Sequence, residues 1–84
     1  MISNMHKYNF NQSVKVKLTR TGKEIYRKNY AKFGIDSYAY VDKDGFSEFQ
    51  LWSFMGIFGE SIEKGVQVLE DGCIYMYDNY LEKV

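Results

Sequence analysis

The residues whose types and spacing could carry chemistry include a short acidic turn. Asp42-Lys43-Asp44-Gly45 looks like the middle of a calcium-binding EF-hand loop, with its carboxylates and glycine at the third, fifth and sixth positions. The first position would then be Tyr40 and the twelfth Leu51, and neither side chain supplies the carboxylate expected there. The spacing therefore argues against a calcium site.

A nucleophile with its base is equally hard to assemble. His6, the only histidine, lies in a polar N-terminal stretch, and Cys73, the only cysteine, lies in a stretch typical of a strand. We expect Cys73 to be a buried structural residue, as free cysteines commonly are. Zinc needs more Cys and His ligands than the chain carries, and neither standard phosphate-binding glycine loop occurs. We therefore expect no catalytic residue, no metal, no cofactor and no enzymatic activity.

Charged side chains are segregated along the chain, although the formal net charge is +0. Residues 1–42 carry eight Lys or Arg side chains against three Asp or Glu, and residues 43–84 carry three against eight. Such asymmetry indicates either polar partners or an attraction between the two halves across the fold.

The cations of the first half follow a predicted strand and one side of the next helix, so they could form a single basic face. Aromatic residues make up 18% of the chain and could stack on bases. A solvated positive face is the alternative, because the domain is neutral overall. The candidate nucleic-acid-binding residues are Lys15, Lys17, Arg20, Lys23, Arg27 and Lys28.

The second half suits a protein partner. Segment 48–58 is apolar nearly all round, and its larger arc, expected to be core, holds Leu51, Trp52, Phe54, Met55 and Phe58. Its other side is either enclosed in the core or faces a partner. Carboxylates around an apolar centre suit docking onto a basic groove of another protein, and a solvated acidic face is the alternative. The candidate partner-binding residues are Glu60, Glu63, Glu70, Asp71, Phe49 and Ile57.

Hydrophobic periodicity predicts the strands that must position these residues. Strict alternation predicts a half-buried strand over 14–18, and β-branched and aromatic content predicts another over 38–41. Asp71-Gly72 separates two apolar runs and predicts a hairpin that pairs 66–69 with 73–77.

Two helices lie between these strands. Thr19 or Thr21 could cap the first, which carries an apolar stripe and ends at Gly34. Ser47-Glu48-Phe49-Gln50 fits a capping box and predicts a second helix over 48–58, closed by a glycine.

The predicted order is β-α-β-α-β-β, preceded by a loose N-terminal segment over 1–12. A chain of 84 residues has room for one hydrophobic core. We therefore expect a single α+β domain over 1–84, with a mainly antiparallel sheet packed on two helices. The single cysteine and the lack of a long apolar run predict a cytoplasmic protein.

Two stretches resemble small proteins encoded by phages and prophages of Gram-positive bacteria. They are Val14-Lys15-Val16-Lys17-Leu18-Thr19 with Gly22, and the run from Asp44 to Gly59. The resemblance covers residues 14–65 and depends chiefly on Glu48-Phe49-Gln50-Leu51-Trp52.

Small phage proteins of this size often block a host function by stoichiometric binding, as inhibitors of restriction and of CRISPR nucleases do. The resemblance thus implies an accessory protein that inhibits a host protein, such as a CRISPR–Cas or other defence effector, in the bacterial cytoplasm. Two alternatives stay open: a small nucleic-acid-binding regulator that uses residues 15–32, and a structural or self-assembling homodimer that buries the second side of 48–58.

Overall fold

A three-stranded antiparallel sheet forms the centre of the fold, which confirms the predicted α+β class. The computed structural model describes residues 5–83. The strands are β1 (His6–Lys7), β2 (Ser13–Leu18), β3 (Ser47–Gln50), β4 (Leu69–Met76) and β5 (Glu82–Lys83). The central sheet has the order β3-β2-β4, and β1 pairs with β5 in a separate two-stranded ladder.

Two helices cover one side of the central sheet. They are α1 (Arg20–Ala31) and α2 (Leu51–Glu63), and a short 3-10 helix (Asp78–Tyr80) precedes β5. Strict alternation in β2 directs Val14 and Val16 towards the helices, where both are fully buried. Within residues 5–83, neither helix has the length and apolar character that a membrane crossing requires.

The core joins β2 and α2 to the segment that leads into β4. Val16 and Leu18 pack in one cluster with Phe54, Phe58 and Val68. The start of α1 is held close to that cluster, because Thr19 Oγ1 accepts from Gly22 N at 3.0 Å and the Thr19 N–H donates to the Val68 oxygen at 2.8 Å. A Cβ at Gly22 would lie 2.6 Å from the Val68 oxygen, so only glycine permits this approach.

Strand β3 lies nine residues later in the sequence than the strand that β-branched and aromatic content predicts. The strand predicted over 38–41 is wrong, since those residues form neither helix nor strand. Ser47–Gln50 pairs with β2 instead, with Phe49 opposite Val14. The helix predicted over 48–58 therefore begins late, at Leu51, and continues past its predicted end to Glu63. Backbone pairing along β2 outweighs the local capping box.

The hairpin predicted from 66–69 and 73–77 is wrong as well. Residues 69–76 form one strand along β2, with Leu18 opposite Leu69 and Val16 opposite Ile74. The extra residues form a bulge, in which Gly72 has a φ of 71°. Cys73 lies in this bulge and is exposed, so the prediction of a buried structural cysteine is also wrong.

The N-terminal segment is partly structured. His6–Lys7 forms β1, and the carbonyl oxygens of Phe10 and Gln12 accept from the N–H groups of Trp52 and Leu51 at 3.1 and 3.0 Å. Phe10 and Gln12 are thus held against the start of α2, and His6–Lys7 is held by β5. The prediction of a loose segment is wrong for these residues. Residues 1–4 of that segment lie outside the described residues.

Candidate functional site

Helix α2 is apolar on two sides, and one of them faces solvent. Phe54 and Phe58, four residues apart, are 5% and 0% exposed and pack on the sheet. Trp52 and Met55 are 54% and 50% exposed. The sequence placed all four in one core arc, and the structure divides that arc in two.

The exposed side continues along the whole helix. We call it the α2 surface, and it consists of Trp52, Met55, Gly56, Gly59, Ile62 and Glu63. These positions recur at three- and four-residue intervals, which places them on one side of a helix. A Cβ added at Gly56 or Gly59 would meet nothing within 4 Å. The two glycines therefore leave bare backbone between the larger apolar side chains, where another molecule could approach closely.

The end of α2 is negatively charged. Glu63 is exposed and has no ion-pair partner among residues 5–83. Glu60 lies on the neighbouring side of the helix, where a 2.8 Å hydrogen bond from Lys64 lowers its pKa. The last turn of α2 carries no cation of its own. The helix dipole, which is negative at the C-terminus, adds to the negative potential at this end of the α2 surface.

The structure divides the predicted acidic set between two sides of the sheet. Glu60 and Glu63 end α2, whereas Glu70 and Asp71 lie in the bulge of β4. The Asp71 carboxylate accepts from the Tyr75 hydroxyl, which lowers the Asp71 pKa. Tyr75 lies opposite Lys15 on the side of the sheet that faces away from the helices. Only Glu63 of the four therefore belongs to the α2 surface.

Phe49 and Ile57, the predicted apolar contacts for a partner, both pack against the core. The centroid of the Phe49 ring lies 5.6 Å from that of the Phe58 ring and 5.8 Å from that of the Tyr26 ring. Ile57 faces α1, where it shares a small cavity with Ile25. Trp52, Met55 and Ile62 take their place as the exposed apolar residues of α2.

Side chains on the sheet face opposite the helices are engaged with one another. Lys15 Nζ lies 3.4 Å from Asp42 Oδ2, and this hydrogen bond is the main cause of the raised pKa of Lys15. Lys17 Nζ lies 4.9 Å from the centroid of the Phe46 ring. The Tyr77 hydroxyl donates to Glu48 Oε1 at 2.9 Å. The lysines of this face thus sit among carboxylates and aromatic rings.

The predicted basic set does not form one face. Lys15 and Lys17 alternate with Val14 and Val16 and lie on the far side of the sheet from the helices. The remaining four are exposed along α1: Arg20, Lys23, Arg27 and Lys28. The sheet lies between the two groups, because α1 packs on the valine side.

No family model, curated protein or solved structure matches the chain. The functional inference therefore depends on these residues. In the part of the chain that the structure describes, no group of three or more His, Cys, Asp or Glu side chains could hold a metal ion.

The α2 surface was missed from sequence, although its signal was present. Trp52, Met55, Gly59 and Ile62 already stood at helical spacing.

Proposed function

We propose that the protein acts by stoichiometric binding to another protein through the α2 surface. The observation that carries this proposal is the half-exposure of Trp52 and Met55 on the helix side that faces away from the core. Tryptophan and methionine are enriched in the centres of protein interfaces, and tryptophan often dominates their binding energy. Contiguous apolar surface with a polar rim is typical of such sites.

The partner that fits this surface has an apolar groove wide enough for one helix. An amphipathic helix that docks in this way uses apolar anchors on one side of the helix, as Trp52, Met55 and Ile62 provide. Glu63 and the carbonyl end of α2 favour a lysine or arginine at one end of that groove. The partner is therefore apolar in the middle of its groove and basic at one rim.

The partner we propose is a host protein that handles nucleic acid, such as a CRISPR–Cas or other defence effector, which the protein inhibits. The support is the resemblance of residues 14–65 to small phage proteins, together with the basic rim that Glu63 favours at one end of the partner's groove. Proteins that bind nucleic acid present basic grooves to phosphate groups. A helix seated in such a groove would block the nucleic acid.

The experiment compares two matched methionines. Met55 is 50% exposed on the α2 surface, and Met5 is 48% exposed before β1. Wild type, Met55→Ser, Met5→Ser and Trp52→Ser are used to capture proteins from a Gram-positive host lysate, and the captured protein is purified and titrated. We expect a 1:1 complex that Met5→Ser retains and that Met55→Ser weakens. Trp52→Ser should weaken it about 30-fold or more, as for an interface hot spot.

Inhibition is tested on the purified partner. Its activity should fall linearly with added protein and reach its minimum at an equimolar amount. A partner bound equally well by Met5→Ser and Met55→Ser would refute the α2 surface as the contact. A wild-type dimer in light scattering that Met55→Ser dissociates would assign the surface to self-association and overturn the proposal of a host partner.

A further inference from the structure

An open cavity of about 520 Å³ lies between the outer side of α1 and the segment that follows it. Arg27, Lys28 and Ala31 line it from the helix, and Ile35 and Asp36 line it from the segment. None of these residues contributes to the core or to the α2 surface. The cavity therefore offers a second, separate place for a ligand.

The segment that bounds this cavity exposes aromatic rings. Residues 35–41 form neither helix nor strand, and Tyr38 and Tyr40 are 65% and 80% exposed. Phe33, in the turn that closes α1, is exposed too. Rings exposed on a long irregular loop contribute little to folding and are typical of binding loops.

A cation of α1 and the C-cap residue Lys32 lie near two of these rings. The guanidinium carbon of Arg27 lies 4.3 Å from the centroid of the Tyr38 ring, and Lys32 Nζ lies 5.6 Å from that of Phe33. Arg27 also pairs with Asp36 at 3.4 Å, which holds the segment beside the helix. Positive charge and exposed rings are thus adjacent at two places beside α1, Arg27 with Tyr38 and Lys32 with Phe33.

The net charge of this surface is positive. Residues 20–41 contain five Lys or Arg side chains and two Asp or Glu side chains. Among the described residues, Lys23 and Lys28 have no ion-pair partner. Their charge is available to an anion, whereas Lys15 on the far side of the sheet is paired with Asp42.

We infer that the outer side of α1 and segment 33–41 bind single-stranded nucleic acid. Lys23, Arg27, Lys28 and Lys32 would contact successive phosphates. Phe33 and Tyr38 would stack on bases, whose faces are accessible in a single strand and hidden in a duplex. This site replaces the basic face predicted from sequence. It keeps Lys23, Arg27 and Lys28 of that set and adds Lys32 and the aromatic segment.

The carboxylates at this surface favour nucleic acid over an anionic membrane. Glu24 and Asp36 line the cavity beside the cations. A bilayer of anionic lipids would repel both carboxylates without using them. Base edges carry N–H donors, and carboxylates accept from such donors in nucleic-acid complexes. The mixture of charges therefore fits a ligand that has both phosphates and hydrogen-bond donors.

The test is fluorescence anisotropy with fluorescein-labelled DNA and RNA single strands of about twelve nucleotides, a length within the usual site size. The duplexes of the same sequences are measured in parallel. We expect single strands to bind more tightly. If three or four phosphates are contacted, affinity should fall about 20- to 50-fold between 50 and 200 mM salt.

Charge-matched variants locate the site. Lys23→Ala/Lys28→Ala and Lys7→Ala/Lys17→Ala remove equal charge, but the second pair lies on β1 and on the far face of the sheet. The first pair should lower the slope of log K against log salt by about 1.4, and the second should leave it unchanged. Phe33→Leu should weaken binding about tenfold with the slope retained, because stacking does not release counterions.

Several outcomes would overturn the inference. They are no binding at 50 mM salt, equal loss in the two lysine pairs, tighter binding of the duplex, and sedimentation with phosphatidylglycerol vesicles in place of binding to the oligonucleotide. Met55→Ser should leave oligonucleotide binding unchanged, so the failure of this inference and that of the α2 surface are distinguishable.

Discussion

Shortening side chains on the two apolar sides of α2 is expected to change the free energy of unfolding by very different amounts. The centroid of the buried Phe58 ring lies 5.1 Å from that of the Phe54 ring. Phe58→Ala removes it and leaves a cavity, at a cost of about 3–5 kcal/mol. Met55→Ala loses contacts on one side only and gains helix propensity, so we expect a cost of about 1 kcal/mol or less.

Urea denaturation followed by far-ultraviolet circular dichroism measures both costs from the midpoint and the slope. An 84-residue domain has a free energy of unfolding of about 4–12 kcal/mol, so Phe58→Ala could unfold the protein. Phe58→Leu then serves instead, at about 1–2 kcal/mol. If Met55→Ala costs as much as Phe58→Leu at a protein concentration where the protein is monomeric, the assignment of Met55 to the exposed side of α2 is refuted.

Three further substitutions test other parts of the fold. Gly22→Ala forces a Cβ against the Val68 oxygen and should cost about 1–3 kcal/mol, seen as a lower Tm; an unchanged Tm would contradict the close approach. Ser47→Ala should stabilise by about 1 kcal/mol in urea denaturation, because the buried Ser47 hydroxyl has no hydrogen-bond partner within residues 5–83. A hydrogen bond from the Phe46 N–H is the main cause of the lowered pKa of Asp42, so its carboxylate stabilises the fold above about pH 4 and less as the pH falls through that pKa. The difference in urea midpoint between wild type and Asp42→Asn should therefore shrink from about pH 7 to about pH 3, and a constant difference would exclude this role of the charge.

Local patterns in the sequence predict β2 and α1 well. The alternation over 14–18 corresponds to β2, and Thr19 caps α1 through its side-chain oxygen. Gly34, in the turn that closes α1, has a φ of 76°. Each of these features depends on neighbours within a few residues, which is why the sequence alone reveals them.

Pairing between distant residues accounts for the wrong predictions. Residues 38–41 have strand composition, but 47–50 lies beside β2 and forms the strand. The Asp71-Gly72 signal produces a bulge, because β2 pairs with residues on both sides of it. Local propensity cannot rank these alternatives, since the partner strand decides between them.

The candidate surfaces were only partly predictable, for the same reason. Sequence periodicity shows that 48–58 is apolar nearly all round, but the position of the sheet decides which apolar residues are exposed. Likewise, Lys17 and Lys23 are close in sequence, yet the sheet separates them. Charge segregation along the chain therefore overestimated how much charge is contiguous in space.

Trp52 is the only tryptophan of the chain, and it stands on the α2 surface half-exposed to water. Its emission is consequently a built-in reporter for that surface. Docking of a protein partner would shift the emission to the blue and shield the indole from acrylamide. Oligonucleotide bound along α1 would leave both properties unchanged, so one unlabelled sample distinguishes the two kinds of complex.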